Sequence, residues 1–236
     1  MMNKIAVALL LVAALAVAAG AQKKFKPWTE WSPKEAQKML DDSPWGQTQV
    51  ETDTSEMFYS PTSPRGSASR SEQGAFNQAT WINYRIRFLS ARPVRQAFAR
   101  VLEAQQPSNS QLSKSLRDFV ERSFDEWIVV AVTFESRDGR ISGAALQDFN
   151  SATAGALKNK SYLETKGGER LFLEDYKPQS NDGLGAKFIF RRMVEGKPFI
   201  TAESGEARFY SEVGKSIKLN MRFKVAEMNY DGKLEY

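Results

Sequence analysis

The chain has 236 residues, with 33 lysines and arginines against 28 aspartates and glutamates, and contains neither histidine nor cysteine. Ser-His-Asp and Cys-His catalysis, His-ligated zinc, copper and haem sites, thiol redox chemistry and disulfides are excluded, because each needs a side chain that is missing. The net charge of +5 is mild and does not point to nucleic acid.

Lys4 precedes an unbroken apolar run from Ile5 to Ala19, and Ala19-Gly20-Ala21 fits the small-x-small pattern of signal peptidase sites. Residues 1–21 are therefore predicted to be a secretory signal cleaved near Ala21. The apolar run is too short for a comfortable membrane span, and no later window approaches the roughly twenty apolar residues that one needs. No cysteine is available to carry a lipid at the cleavage site. The expectation is a soluble bacterial protein of the periplasm or the medium, with a mature charge of +4 once Lys4 is removed.

Residues 22–59 are dominated by Trp28 to Trp45, which holds three of the five tryptophans. Ser32, Pro33 and Glu35 read as a capping box with proline at the first helical position. Ala36, Met39 and Leu40 share one face of the resulting short helix, and Ser43-Pro44 ends it. So short a helix is marginal alone and must dock, with Trp28, Trp31 and Trp45 as its anchors. The competing use of these indoles is to stack on a ligand. Gly46 to Thr54 reads as an edge strand. Residues 60–75 are rich in serine, proline, glycine and arginine and are predicted to be a mobile loop.

Residues 76–236 read as an α+β domain, with 22–236 forming one folding unit. Ile82, Tyr84, Ile86 and Phe88 alternate with Asn83, Arg85 and Arg87, which predicts a strand with one apolar and one basic face. Ser90 and Pro93 open a helix to about Gln106, a second helix follows from Ser110 to Phe124, and the two form a helical hairpin. Trp127 to Phe134 is a central strand covered on both faces, and Asp138-Gly139 a turn. Ala144 to Leu157 is a helix. Short strands follow at Tyr162–Thr165, Leu171–Tyr176, Phe188–Met193, Pro198–Thr201 and Ala207–Ser211, then a regular alternation from Ile217 to Val225. With tight turns between most of them, the sheet is expected to be mainly antiparallel, with the helices gathered on one face.

The phrases WTEWSPKEAQKMLDDSPW, GKPFITAESGEARFY (Gly196 to Tyr210) and KLNMRFKVAEMNYDGKLEY (Lys218 to Tyr236) resemble a group of uncharacterised exported bacterial proteins. The resemblance covers most of the mature chain. It implies export and supplies no activity, cofactor or site residue.

No catalytic or metal-binding residue stands out, and no cofactor is expected. Glu203 with Glu206, and Glu174 with Asp175, are the carboxylate pairs that a glycan hydrolase would need, though such pairs also occur on any charged surface. The candidate binding residues are Trp28, Trp31 and Trp45 and a basic face formed by Arg85, Arg87, Lys218, Arg222 and Lys224, with Lys187, Arg191 and Arg192 on a third strand. If those strands are neighbours they form a positive patch suited to an envelope protein, a lipid headgroup or an acidic polysaccharide. Basic residues on exposed strands equally serve to discourage edge-to-edge aggregation. The reading is an exported non-catalytic protein that binds or scaffolds another envelope component. The alternatives are a carrier of an apolar ligand and a histidine-free glycan hydrolase.

Overall fold

The structure is a computed structural model and describes residues 25–53 and 80–236. The predicted signal peptide and the predicted loop at 60–75 lie outside the described residues. After a 3-10 turn at Trp28–Glu30, Ser32 caps helix α1 (Pro33–Asp41). The Glu35 amide donates to the Ser32 hydroxyl at 3.2 Å, and the Ser32 amide donates to the Glu35 carboxylate at 2.8 Å. Strands β1 (Gly46–Asp53) and β2 (Thr80–Phe88) pair antiparallel, and the hairpin of α2 (Arg92–Gln105) and α3 (Ser110–Glu121) follows. Helix α2 starts at Arg92 with Ala91 as its N-cap. Ser90 is spent elsewhere: its hydroxyl accepts the amide of Val129, and α2 instead receives the Glu235 carboxylate on the Arg92 amide at 3.1 Å. Helix α3 closes at Glu121, three residues earlier than its apolar pattern suggests.

Strand β3 (Trp127–Ser136) is buried continuously from Ile128 to Val132. Asp138-Gly139 is a helix start and not a turn, because the Asp138 carboxylate accepts the Arg140 amide at 2.9 Å. Helices α4 (Gly139–Ser151) and α5 (Ala154–Leu157) replace the single helix expected from Ala144. The chain continues through β4 (Ser161–Thr165), β5 (Arg170–Phe172), β6 (Asp175–Lys177), β7 (Ala186–Arg191), a minimal hairpin of β8 (Met193–Val194) and β9 (Lys197–Pro198), β10 (Glu206–Val213), β11 (Ile217–Lys224), and a terminal hairpin of β12 (Asn229–Tyr230) and β13 (Lys233–Leu234).

All strand pairings are antiparallel, but they build two main sheets rather than one. The first has the order β1-β2-β3-β7-β6 and the second β11-β10-β4-β5. The expected strand at Leu171–Tyr176 divides between them, since the Leu173 amide bonds to Ser161 and the Glu174 amide to Ile189. At the opposite seam the Gln49 side chain of β1 donates to the Lys218 carbonyl and accepts the Asn220 amide of β11, at 2.7 and 2.8 Å. The two sheets therefore close into a flattened barrel.

Phenylalanines fill the space between the sheets. Phe88 meets Phe223 edge to face at 4.9 Å, Phe188 meets Phe209 at 5.2 Å, and Phe190 meets Phe209 at 6.3 Å, all of them fully buried. Helices α1 and α2 pack together, with α1 against the outer face of the first sheet. Helix α4 plugs one end of the barrel, where Phe149 stacks on Phe134 at 5.3 Å and the Tyr176 hydroxyl donates to the Phe149 carbonyl. The helices are thus shared between a face and an end. Among the described residues no helix is long and apolar enough to cross a membrane.

Arg87 fixes α1 to the first sheet. It is 4% exposed, donates to the Leu40 carbonyl at 2.9 Å and to Thr133 of β3, and pairs with Asp41 at 2.7 Å. Asp41→Asn should cost about 3 kcal/mol by leaving a buried guanidinium unpaired, read as a lower denaturant midpoint with an unchanged m-value.

The Glu35 carboxyl is held down at about 2 by hydrogen bonds from Lys26 and Ser32, against an ordinary 4.5. This stabilisation is complete above pH 4.5 and is lost as the pH falls through about 2. The undocking of α1, followed by tryptophan fluorescence, should therefore depend on pH across that window, and Glu35→Gln should flatten the dependence.

Candidate functional site

The tryptophans act as anchors. Trp45 is 1% exposed and donates its indole N–H to the Glu235 carbonyl at 2.8 Å, while Trp31 is buried and donates to the Lys26 carbonyl at 3.1 Å. Trp28 is half-buried and packs against the core. Phe25 and Tyr230 meet the Trp45 ring edge-on at 6.3 and 5.9 Å. Trp45→Ala should cost about 3–5 kcal/mol, seen as a drop in melting temperature that is at least twice that of Trp28→Ala.

The basic residues divide into two groups. Arg85 and Arg87 lie on the outer face of the first sheet and both pair with Asp41 of α1, so they serve helix docking and are not part of an outward patch. Burial lowers the pKa of Arg87, with Asp41 opposing that shift. Lys187 pairs with Asp182 and Arg191 with Glu174 in the same sheet, and Arg192 turns toward the main chain of Phe124. Lys218, Arg222 and Lys224 stand together, exposed, on β11 of the second sheet. The expected continuous basic face across both sheets is therefore not formed.

The second sheet has one face on the phenylalanine core, and its other face is covered by no described element. Its register sets side chains there in rows. Phe172, Tyr162, Tyr210 and Asn220 face one another across β5, β4, β10 and β11, and beside them run Arg170, Glu164, Arg208 and Arg222. Tyr162 stacks on Tyr210 at 5.0 Å and meets Phe172 edge-on at 5.9 Å. The Arg170 guanidinium lies over Tyr162 at 4.5 Å, and Arg208 and Lys218 both approach the Tyr210 ring at 5.5 Å.

Glu164 organises the charged row, accepting from Arg170 at 2.5 Å and Arg208 at 3.1 Å, and these bonds hold its pKa below the usual range. Glu206 accepts from Arg222 at 3.0 Å. Glu212 accepts the Tyr210 hydroxyl, which raises the phenol's pKa. The face thus carries the cations Arg170, Arg208, Lys218, Arg222 and Lys224 against the carboxylates Glu164, Glu206 and Glu212, with Glu227 pairing with Lys224 at 3.1 Å and Phe172 46% exposed at the edge.

The sequence reading included Lys218, Arg222 and Lys224 but missed Tyr162, Phe172, Tyr210, Arg170 and Arg208. A signal was present: in Glu206–Val213 the polar-face positions hold Arg208 and Tyr210, an arginine and an aromatic where a plain solvated strand needs neither. The register that brings them beside Tyr162 was not readable from one strand. In comparisons with protein-family models, curated proteins and solved structures, the chain matches none.

Proposed function

We propose that this is an exported, non-catalytic binding protein that holds an acidic polysaccharide of the cell envelope across the open face of its second sheet. The observation that carries the reading is the pairing of an aromatic row with an arginine row on the outer face of the second sheet. Sugar rings offer apolar faces suited to the Phe172 edge and Tyr210, and arginine forks match carboxylates bidentately. Exchanging a surface ion pair such as Arg222–Glu206 for a ligand carboxylate costs little, because solvent already screens it. An excess of cations on the face then favours a polyanion.

Two features favour this reading over the alternatives. A carrier would hold its ligand between the sheets, and that space is occupied by fully buried Phe88, Phe188, Phe190, Phe209 and Phe223. A carboxylate hydrolase needs an acid kept protonated at neutral pH. Here Glu206 pairs with Arg222 and Glu174 with Arg191, while the pKa values of Asp175 and Glu203 are lowered by hydrogen bonds from Lys177 and Thr201 respectively.

The test is titration of the mature protein with a uronic-acid polymer, with neutral dextran as control, followed by calorimetry and amide chemical shifts. The polymer should bind, weaken as salt rises, and shift amides of β4, β10 and β11. Tyr210→Ala and Arg222→Ala should each lose about tenfold in affinity. Equal binding of dextran, or wild-type affinity in both variants, would rule the surface out.

A further inference from the structure

A second polar site lies away from the open sheet face, where the start of α2, the end of α3 and the C-terminal segment meet in a pocket of about 360 Å³. Its lining includes Arg92, Arg95, Arg122 and Arg192 together with Glu121, Asp125 and Glu235. Arg95 is the unusual member. It is 5% exposed and forms no ion pair among the described residues; it donates to the carbonyls of Val120, Leu89 and Ser90 and lies over the Phe124 ring at 4.8 Å. These neutral acceptors satisfy hydrogen bonds but bring no full negative charge. Burial accordingly depresses the Arg95 pKa to about 10, where Glu235 and Glu121 act to raise it and Arg92 and Arg192 to lower it.

Each carboxylate of the pocket is already engaged. Glu121 accepts from the Arg92 guanidinium at 2.9 Å, Glu235 accepts the Arg92 amide at 3.1 Å, and Asp125 accepts the Ser123 hydroxyl. Arg192 is directed to the main-chain oxygens of Phe124 and Tyr236, and Arg122 is exposed at the rim. The Nε–H of Arg92 is buried with no hydrogen-bond partner among the described residues. Buried donors are almost always satisfied in folded proteins, so this N–H is available to an acceptor oxygen. The four guanidiniums thus stand against the carboxylates of Glu121, Asp125 and Glu235 and the Tyr236 oxygen that Arg192 reaches, with the buried Arg95 held only by carbonyls and a ring and Arg92 carrying an orphan N–H.

We propose that this pocket binds the phosphate group of a small phosphomonoester, or of a lipid headgroup that carries one. A phosphomonoester brings between one and two negative charges at neutral pH and three acceptor oxygens spread tetrahedrally. That arrangement suits donors arriving from different elements better than a planar carboxylate does. The pocket is independent of the polysaccharide surface, and either assignment can fail without the other.

The experiment measures the melting temperature and ³¹P spectrum of the mature protein with inorganic phosphate, glycerol phosphate and vesicles containing phosphatidic acid. Sodium chloride and sodium acetate at matched ionic strength are the controls. Phosphate should raise the melting temperature and broaden its own resonance, and neither control should do so. Arg95→Lys keeps the charge but loses the fork, and should weaken binding at least tenfold. Arg122→Glu changes only an exposed side chain and should weaken binding even where Arg95→Lys folds poorly. Vesicle binding that free phosphate competes away assigns the group to a lipid headgroup, and binding of glycerol phosphate without vesicle binding assigns it to a soluble ester. Stabilisation no greater than that by chloride or acetate, or wild-type affinity in Arg122→Glu, overturns the proposal.

Discussion

The pairing of buried Arg87 with half-buried Asp41 is the constraint on which the arrangement of the N-terminal third depends. An arginine placed on the outer face of a central strand is costly unless its charge and its donors are all met. Here the C-terminal turn of α1 supplies a carboxylate and a carbonyl, β3 supplies Thr133, and the Phe98 ring of α2 lies under the guanidinium at 5.2 Å. A two-and-a-half-turn helix too short to persist alone thereby becomes part of the domain. The capping box at its start and Trp45 after its end complete the attachment, and the Trp45 indole reaches the main chain of Glu235, so the first and last segments of the described chain are tied at one place.

With α1 and α2 against the first sheet and α4 in the barrel end, the second sheet keeps an outer face of aromatic and charged side chains. Its edges are short or bridged: β5 has three residues, and β11 is met by the Gln49 side chain instead of a further strand. A side-chain amide acting as a strand surrogate satisfies two main-chain groups without letting the ladder grow, which leaves a narrow and protected platform. A face bounded in this way is open to an extended ligand lying across it, while augmentation by another strand at that edge is disfavoured.

Local pattern made much of this legible. The capping box, the alternations in β2 and β11, the continuous apolar run of β3 and the hairpin of α2 and α3 all express a local periodicity that reads directly. The errors came where a residue has two competing local uses. Ser90 and Asp138 both suit helix starts and turns, and the choice between them was made by neighbours distant in sequence, namely the Val129 amide and the packing of α4 into the barrel end. The single expected sheet became two because the break at Leu173-Glu174 carries no glycine or proline to announce it. The candidate surface was half visible for the same reason: Lys218, Arg222 and Lys224 declare themselves on one alternating strand, whereas the Tyr162–Tyr210 stack exists only once the register of β4 against β10 is set.

Arginine is used in three distinct ways in this fold, and the partner in each case decides the role. Arg87 meets a carboxylate inside the protein and is structural. Arg222 meets Glu206 at the surface, where solvent keeps the pair weak and therefore exchangeable, while Arg170 and Arg208 share the largely covered Glu164. Among the described residues Arg95 meets only carbonyls and an aromatic ring, with no counterion within hydrogen-bond reach. Guanidinium chemistry allows all three, because one side chain can fasten, exchange or capture according to how much water and how much negative charge surround it.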